Sequence, residues 1–307
     1  MKKLVIVLIM TLMMCGCADT TELGDRAIVQ LAAIDHEDGE YTLNVLLFSA
    51  GGSSGELDVT KTNVIKVTGR GETLGEAVQS LSLIDGKDIY MSEAKLLVLG
   101  GGFEEADIPS VLTMLYRDMR CSLNMPVCCA DTAEMLTDLE FTEGITAAEK
   151  PVSMIDNAYH LGISPKATLL DVLSAHEEGS PTLIPSFGET VNGSGMTKDK
   201  SGKTAELNGS RVISGGRLGS FADKSTTVGA MLLSGEADSI QLSLVTDGSE
   251  LTCEAYDIKA ELKNGRPQVS AHYRSRSGKA LSQEQEKQAE EQLLAAVSAG
   301  KEFMLVI

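Results

Sequence analysis

The chain has 307 residues, with 44 acidic and 26 basic side chains and a formal net charge of −18. Such a surface is repelled by nucleic acid and by anionic lipid headgroups, which excludes a binder that works through a basic patch. Length suggests two or three domains, each large enough for a core; with aromatics at 4% and no Trp, those cores must rest on Leu, Ile, Val, Ala and Met.

The first element is a leader. Lys2 and Lys3 precede an apolar run over residues 4–14, and Cys15-Gly16-Cys17 follows. A charged start, a short apolar stretch and a small residue before a cysteine form a lipoprotein signal. The run is too short for a permanent bilayer span, so residues 1–16 are expected to be cleaved and Cys17 to take a diacylglycerol and acyl lipid. Cys15 is the poorer candidate because the bulky Met14 precedes it; an ordinary secretory leader with incidental cysteines is the alternative. Removal of residues 1–16, two lysines among them, leaves 291 residues at −20. Membrane attachment must then come from the anchor, since no later stretch is long and apolar enough to span. Residues 17–26 form a lipidated tether.

Residues 27–34 and 41–48 predict two strands joined by an acidic turn, whose Asp38-Gly39 supplies positive φ. Residues 50–55 contain Gly51, Ser53 and Gly55 in a G-x-S-x-G pattern, but residues 56–66 read as loop and strand rather than the helix a nucleophile elbow needs. The stretch 64–100 is the expected organising unit. Residues 64–67 alternate like a half-buried strand, Thr73 and Glu76 form a capping box, and Leu74, Ala77, Val78 and Leu81 share one helix face. Residues 96–99, Leu-Leu-Val-Leu, read as a strand covered on both sides. Gly69, Gly71 and Gly75 approach the dinucleotide fingerprint, but the third Gly is one position late, and residues 100–102 are three glycines where an acidic residue would be needed.

Beyond this unit, Ile108, Val111, Leu112 and Leu115 mark a helix, residues 123–130 a strand, and Asp131 with Glu134 a cap before Met135, Leu136 and Leu139. Cys121 and Cys128 lie roughly 23 Å apart on an extended chain, beyond disulfide reach. Cys128 and Cys129 point to opposite faces, and no His stands at ligand spacing, so these read as buried thiols rather than a metal site. Helices are expected over residues 151–159 and 164–176, the second with Ser164 as N-cap and Pro165 at its first position. From Pro181 the composition turns toward Gly, Ser and Thr. Gly202-Lys203-Thr204 narrowly misses a phosphate loop, having Thr197 where Gly is required. A strand is predicted over 205–213 and a short helix over 227–233. Residues 251–262 and 267–273 flank Asn264-Gly265, a strong hairpin signal, and Ser282 with Gln285 caps a charged helix carrying Leu293, Leu294, Ala296 and Val297. The apolar residues 303–307 are expected to close the chain as a strand.

The whole predicts an α+β protein of mixed α/β layers in two to three domains: residues 27–180, 181–245 and 246–307, the last a hairpin plus helix. With these residues in view the chain resembles the Ger(x)C family, the lipoprotein C subunits of nutrient germinant receptors in endospore-forming bacteria. The resemblance is carried by Gly16-Cys17, Ile34-Asp35, Asp38-Gly39, Gly71-Glu72-Thr73, Gly86-Lys87 and Leu115-Tyr116-Arg117-Asp118, by the run Ala77-Val78-Gln79-Ser80-Leu81-Ser82, and more weakly by Leu207-Asn208-Gly209 to Phe221. It implies three mixed domains, the third shortened here, no catalytic centre, no metal and no cofactor beyond the lipid on Cys17. It also implies a place on the outer face of the inner spore membrane, beside polytopic A-type and B-type subunits. The rival reading is a lipid-anchored solute-binding protein of a transporter; a hydrolase would rest on Ser53 alone.

Overall fold

The computed structural model describes residues 26–48, 64–104, 107–138, 148–190, 204–246, 248–276 and 280–305. The leader, Cys17, the Ser53 loop and Gly202-Lys203 lie outside these residues.

The first two strands, β1 (Arg26–Glu37) and β2 (Glu40–Phe48), form the expected hairpin. Its turn has Asp38 at φ 51° and Gly39 at φ 80°, the left-handed pair that closes a two-residue connection with the right twist. Next come β3 (Val64–Gly71), α1 (Leu74–Asp85), β4 (Asp88–Tyr90) and β5 (Leu96–Leu99), then α2 (Ile108–Arg117), β6 (Pro126–Ala130) and α3 (Glu134–Thr137). They are followed by α4 (Glu149–His160), β7 (Ala167–Thr168), α5 (Leu169–Glu178), β8 (Thr182–Thr190), β9 (Thr204–Ser214) and β10 (Arg217–Asp223).

Among the described residues these strands form one ten-stranded sheet in the order β10-β9-β8-β6-β5-β1-β2-β3, with β4 beside the start of β1 and β7 beside β6. The middle strands β8, β6, β5 and β1 run parallel and the outer ones antiparallel. Because successive side chains alternate across a strand, each middle strand feeds two cores. Leu97, Leu99, Val127 and Cys129 face α1, α2 and α5; Leu96, Val98, Cys128 and Ala130 face α3 and α4. The expected mixed α+β layers are what the chain builds.

The rest forms a second unit. α6 (Lys224–Ser234) leads to a three-stranded antiparallel sheet, β11 (Ile240–Thr246), β12 (Ser249–Lys263) and β13 (Arg266–Ser275), covered by α7 (Gln283–Met304). α6 is shared: Met231 packs on Leu183 and Val212 of the large sheet, and Val228 and Leu232 pack into the core of the small one. Gly229 and Gly300 let α6 and α7 touch backbone to backbone; a Cβ at Gly229 would stand 1.8 Å from the Ala296 carbonyl oxygen. The large sheet continues across position 181, and β11, ahead of position 246, pairs with β12.

Four local expectations are corrected. The stretch 64–100 is not central: β3 is an edge strand, and the β1–β2 hairpin inserts between it and β5. The helix expected from Ser164 begins at Leu169, because Thr168 and Asp171 make a complete capping box that outcompetes the Ser-Pro signal. The strand expected over 123–130 begins at Pro126. Of the apolar end, residues 303–305 are not a strand: α7 continues to Met304, since Leu293, Ala296 and Val297 keep helical spacing against the second core.

Candidate functional site

In an open sheet with parallel middle strands, the place to look is beyond their carboxyl ends, where loops meet. Here Asp35 stands two residues before the end of β1. Its Oδ1 accepts hydrogen bonds from the backbone N–H of His36 and of Gly102, both at 3.0 Å, and its Oδ2 accepts from the N–H of Ala133 at 3.2 Å. One carboxylate thus ties the loops that leave β5 and β6 to the strand between β5 and β2. The glycines after β5 exist for this approach: a Cβ at Gly100 would lie 2.2 Å from Asp35 Oδ2, and one at Gly102 would lie 2.2 Å from the His36 carbonyl oxygen. The triplet that fails as part of a dinucleotide fingerprint is therefore a seat for Asp35.

Above this tie lies a cleft of about 390 Å³, lined by Asp35, Glu37, Glu40, Asn44, Arg70 and Glu134 among others. Its rim is acidic, with Arg70 as the cation. Asn44 is fully buried; its Oδ1 accepts from the Thr68 hydroxyl at 2.6 Å, whereas its Nδ2 has no protein partner. On the opposite face of β1–β2, His36, Tyr41 and Phe103 form a triangle with ring centroids 4.5 to 6.5 Å apart. Burial, helped by the Asp107 carboxylate, raises the Tyr41 phenol above its ordinary range. Asp35 is engaged by three backbone donors, so its two oxygens hold loops together.

The other sequence motifs resolve as packing. A Cβ at Gly69 would meet the Ala77 carbonyl oxygen at 2.2 Å and one at Gly71 would meet Glu76 Cβ at 2.5 Å, so these glycines bring α1 down onto β3. The start of α1 is occupied by its own residues: Glu76 N–H donates to Thr73 Oγ1, and Glu72 N–H donates to the Glu76 carboxylate. Cys128 and Cys129 enter opposite cores. Burial pushes the Cys121 and Cys129 thiols up to about 12 and raises the Cys128 thiol well above its ordinary value, and the Cys129 thiol donates to the Pro185 carbonyl at 3.5 Å. Among the described residues, no three His, Cys, Asp or Glu side chains are grouped to hold a metal ion. No described helix is long and apolar enough to cross a membrane.

The family model for the spore germination protein N-terminal domain matches residues 19–187, more than half of the chain. The chain belongs to the Ger(x)C family of spore germination proteins. No curated protein matches the sequence. Among solved structures, the crystal structure of the GerBC protein is similar, with 19% identity and a TM-score of 0.45 over 87% of this chain and 79% of that one. The family match ends within β8, so it takes in the whole Asp35 tie.

Asp35 and the three glycines lie far apart in the sequence, and no motif joins them. Their only local signal was three consecutive glycines directly after a fully apolar strand, which marks a close backbone approach.

Proposed function

We propose that this protein is the lipid-anchored C subunit of a nutrient germinant receptor: a non-enzymatic partner of polytopic A-type and B-type subunits, held on the outer face of the inner spore membrane by lipid on Cys17. The match to the spore germination family over residues 19–187 carries this reading. The leader ending at Gly16-Cys17 supports the anchor. An Asp35 carboxylate engaged by three backbone donors supports a scaffold rather than a catalyst. Acyl chains at about 0.8 kcal/mol per buried methylene would hold the chain durably on a membrane, which matters because its net charge opposes any attraction to anionic lipid.

The test is to tag the carboxyl terminus, solubilise spore membranes in mild detergent and identify the proteins that co-purify, with Cys17→Ala in parallel. Two polytopic membrane proteins should come down with the wild type and be reduced or lost with the variant. An ATP-hydrolysing permease in their place would favour a transporter subunit, and recovery of the chain alone would remove the receptor reading.

A further inference from the structure

The chain enters the described fold at Arg26, and three pieces of backbone meet there. β4 lies parallel to β1, with Asp88 opposite Arg26 and Tyr90 opposite Ile28. The Arg26 guanidinium sits over the Tyr90 ring, 5.0 Å from its centroid, and the turn after α2 brings Met119 and Arg120 to line a shallow depression with them. Directly ahead of β4, α1 ends abnormally for a surface helix. Its last turn presents Leu83 at 80% exposure and Ile84 at 63%, followed by the left-handed cap Gly86 and the exposed Lys87. Leaving two aliphatic side chains in water forgoes the free energy gained by burying them.

We propose that this end of the molecule rests on the bilayer, with Leu83 and Ile84 entering the boundary between headgroups and acyl chains while Arg26, Lys87 and Arg120 face lipid phosphates. The inference builds on acylation of Cys17. Nine residue steps separate Cys17 from Arg26, a reach of at most about 30 Å. A folded chain of this length is roughly 50 Å across by the scaling of compact proteins. The tether is thus shorter than the body, and the Arg26 end must lie on the membrane side. Charge agrees: Arg26 and Arg120 line the depression with Asp88 and Asp118, and the exposed Lys87 adjoins Asp88 in sequence, so this window carries three cations to two anions in a mature chain of −20. An apolar pair set in that window meets the bilayer without the repulsion the rest of the surface would meet.

The absence of Trp from the sequence makes the test direct. Ile84→Trp and, separately, Glu40→Trp each introduce a sole tryptophan. Position 40 is exposed just past the far end of β1, about 35 Å away along the strand. The full-length lipidated protein is reconstituted in vesicles of phosphatidylethanolamine and phosphatidylglycerol whose acyl chains are brominated. The reporter at position 84 should shift to the blue and lose most of its emission, and the one at position 40 should keep it. A protein retained on the vesicles with position 84 unquenched overturns the inference and leaves the anchor standing. Failure of the protein to stay on vesicles overturns both. Shielding at position 84 that appears only when polytopic subunits are co-reconstituted would make the patch a protein interface, again overturning a lipid contact.

Discussion

β5 in the large sheet is buried at all four positions, Leu96 to Leu99, whereas β11 in the small sheet alternates, with Ile240, Leu242 and Leu244 inward and Gln241 and Ser243 outward. The difference lies in what covers each sheet. Helices cover both faces of the large one; α6 and α7 cover one face of the small one. The free face of the small sheet is held by polar pairs instead, such as Arg274 with both carboxylate oxygens of Glu254 at 2.8 Å and the Tyr256 ring beneath its guanidinium. A strand between two helix layers reads as a near-continuous apolar run, while a strand with one wet face fixes its register by alternation. The helix α6 belongs to both units, and the end of α4 adds a further contact, where the Gln241 N–H donates to the Leu161 carbonyl at 3.0 Å.

That comparison can be broken deliberately. Leu97→Ala removes a fully buried side chain from the middle of the large sheet and should cost about 4 kcal/mol, lowering amide-exchange protection throughout the ten strands. Leu244→Ala, equally buried, should cost about 3 kcal/mol and lower protection in β11–β13 ahead of the large sheet; equal loss in both sheets would show a single cooperative unit. Gly229→Val strikes the junction, where there is no room for a Cβ, and should cost about 3 kcal/mol. Its signature in denaturant is labelling of Cys253, in the small core, while Cys128 and Cys129 stay protected.

Smaller effects sharpen the picture. Asp35→Ala leaves three backbone donors without their acceptor and should cost about 2 kcal/mol, read as a lower denaturation midpoint with exchange rising first at residues 100–104 and 131–134. Asp223, the N-cap of α6, accepts from Thr226 N–H at 2.8 Å, and that hydrogen bond holds its carboxyl below the usual value. A depressed carboxylate contributes stability that is present above its unfolded pKa, about 3.9, and is lost as pH falls through the lower folded value. Asp223→Ala should thus cost about 1 kcal/mol at neutral pH, with the gap to wild type closing as thermal melts are repeated down to pH 3.

Local signals carried much of the fold. Asp38-Gly39, Asn264-Gly265, the Ser282–Gln285 capping box and the apolar run of β5 each specify an element through neighbours in sequence, and each stands where it was expected. Pairing order was not legible, because nothing in residues 64–71 says that β2 rather than β5 lies alongside. At Ser164-Pro165 two start signals competed four residues apart, and the better hydrogen-bonded one won. The Asp35 tie joins positions 67 and 98 residues apart, and only the parallel register of β1, β5 and β6 brings them together.

β1 is the first described strand and also a middle one, paired with β2 on one side and with β5 and β4 on the other. Tension arriving from the residues ahead of Arg26 therefore runs along the strand axis. It loads the flanking hydrogen bonds in shear, all together, instead of peeling them one by one as at an edge. Mechanically the molecule is gripped by its middle, so a pull on its amino terminus is borne by the stiffest part of the fold.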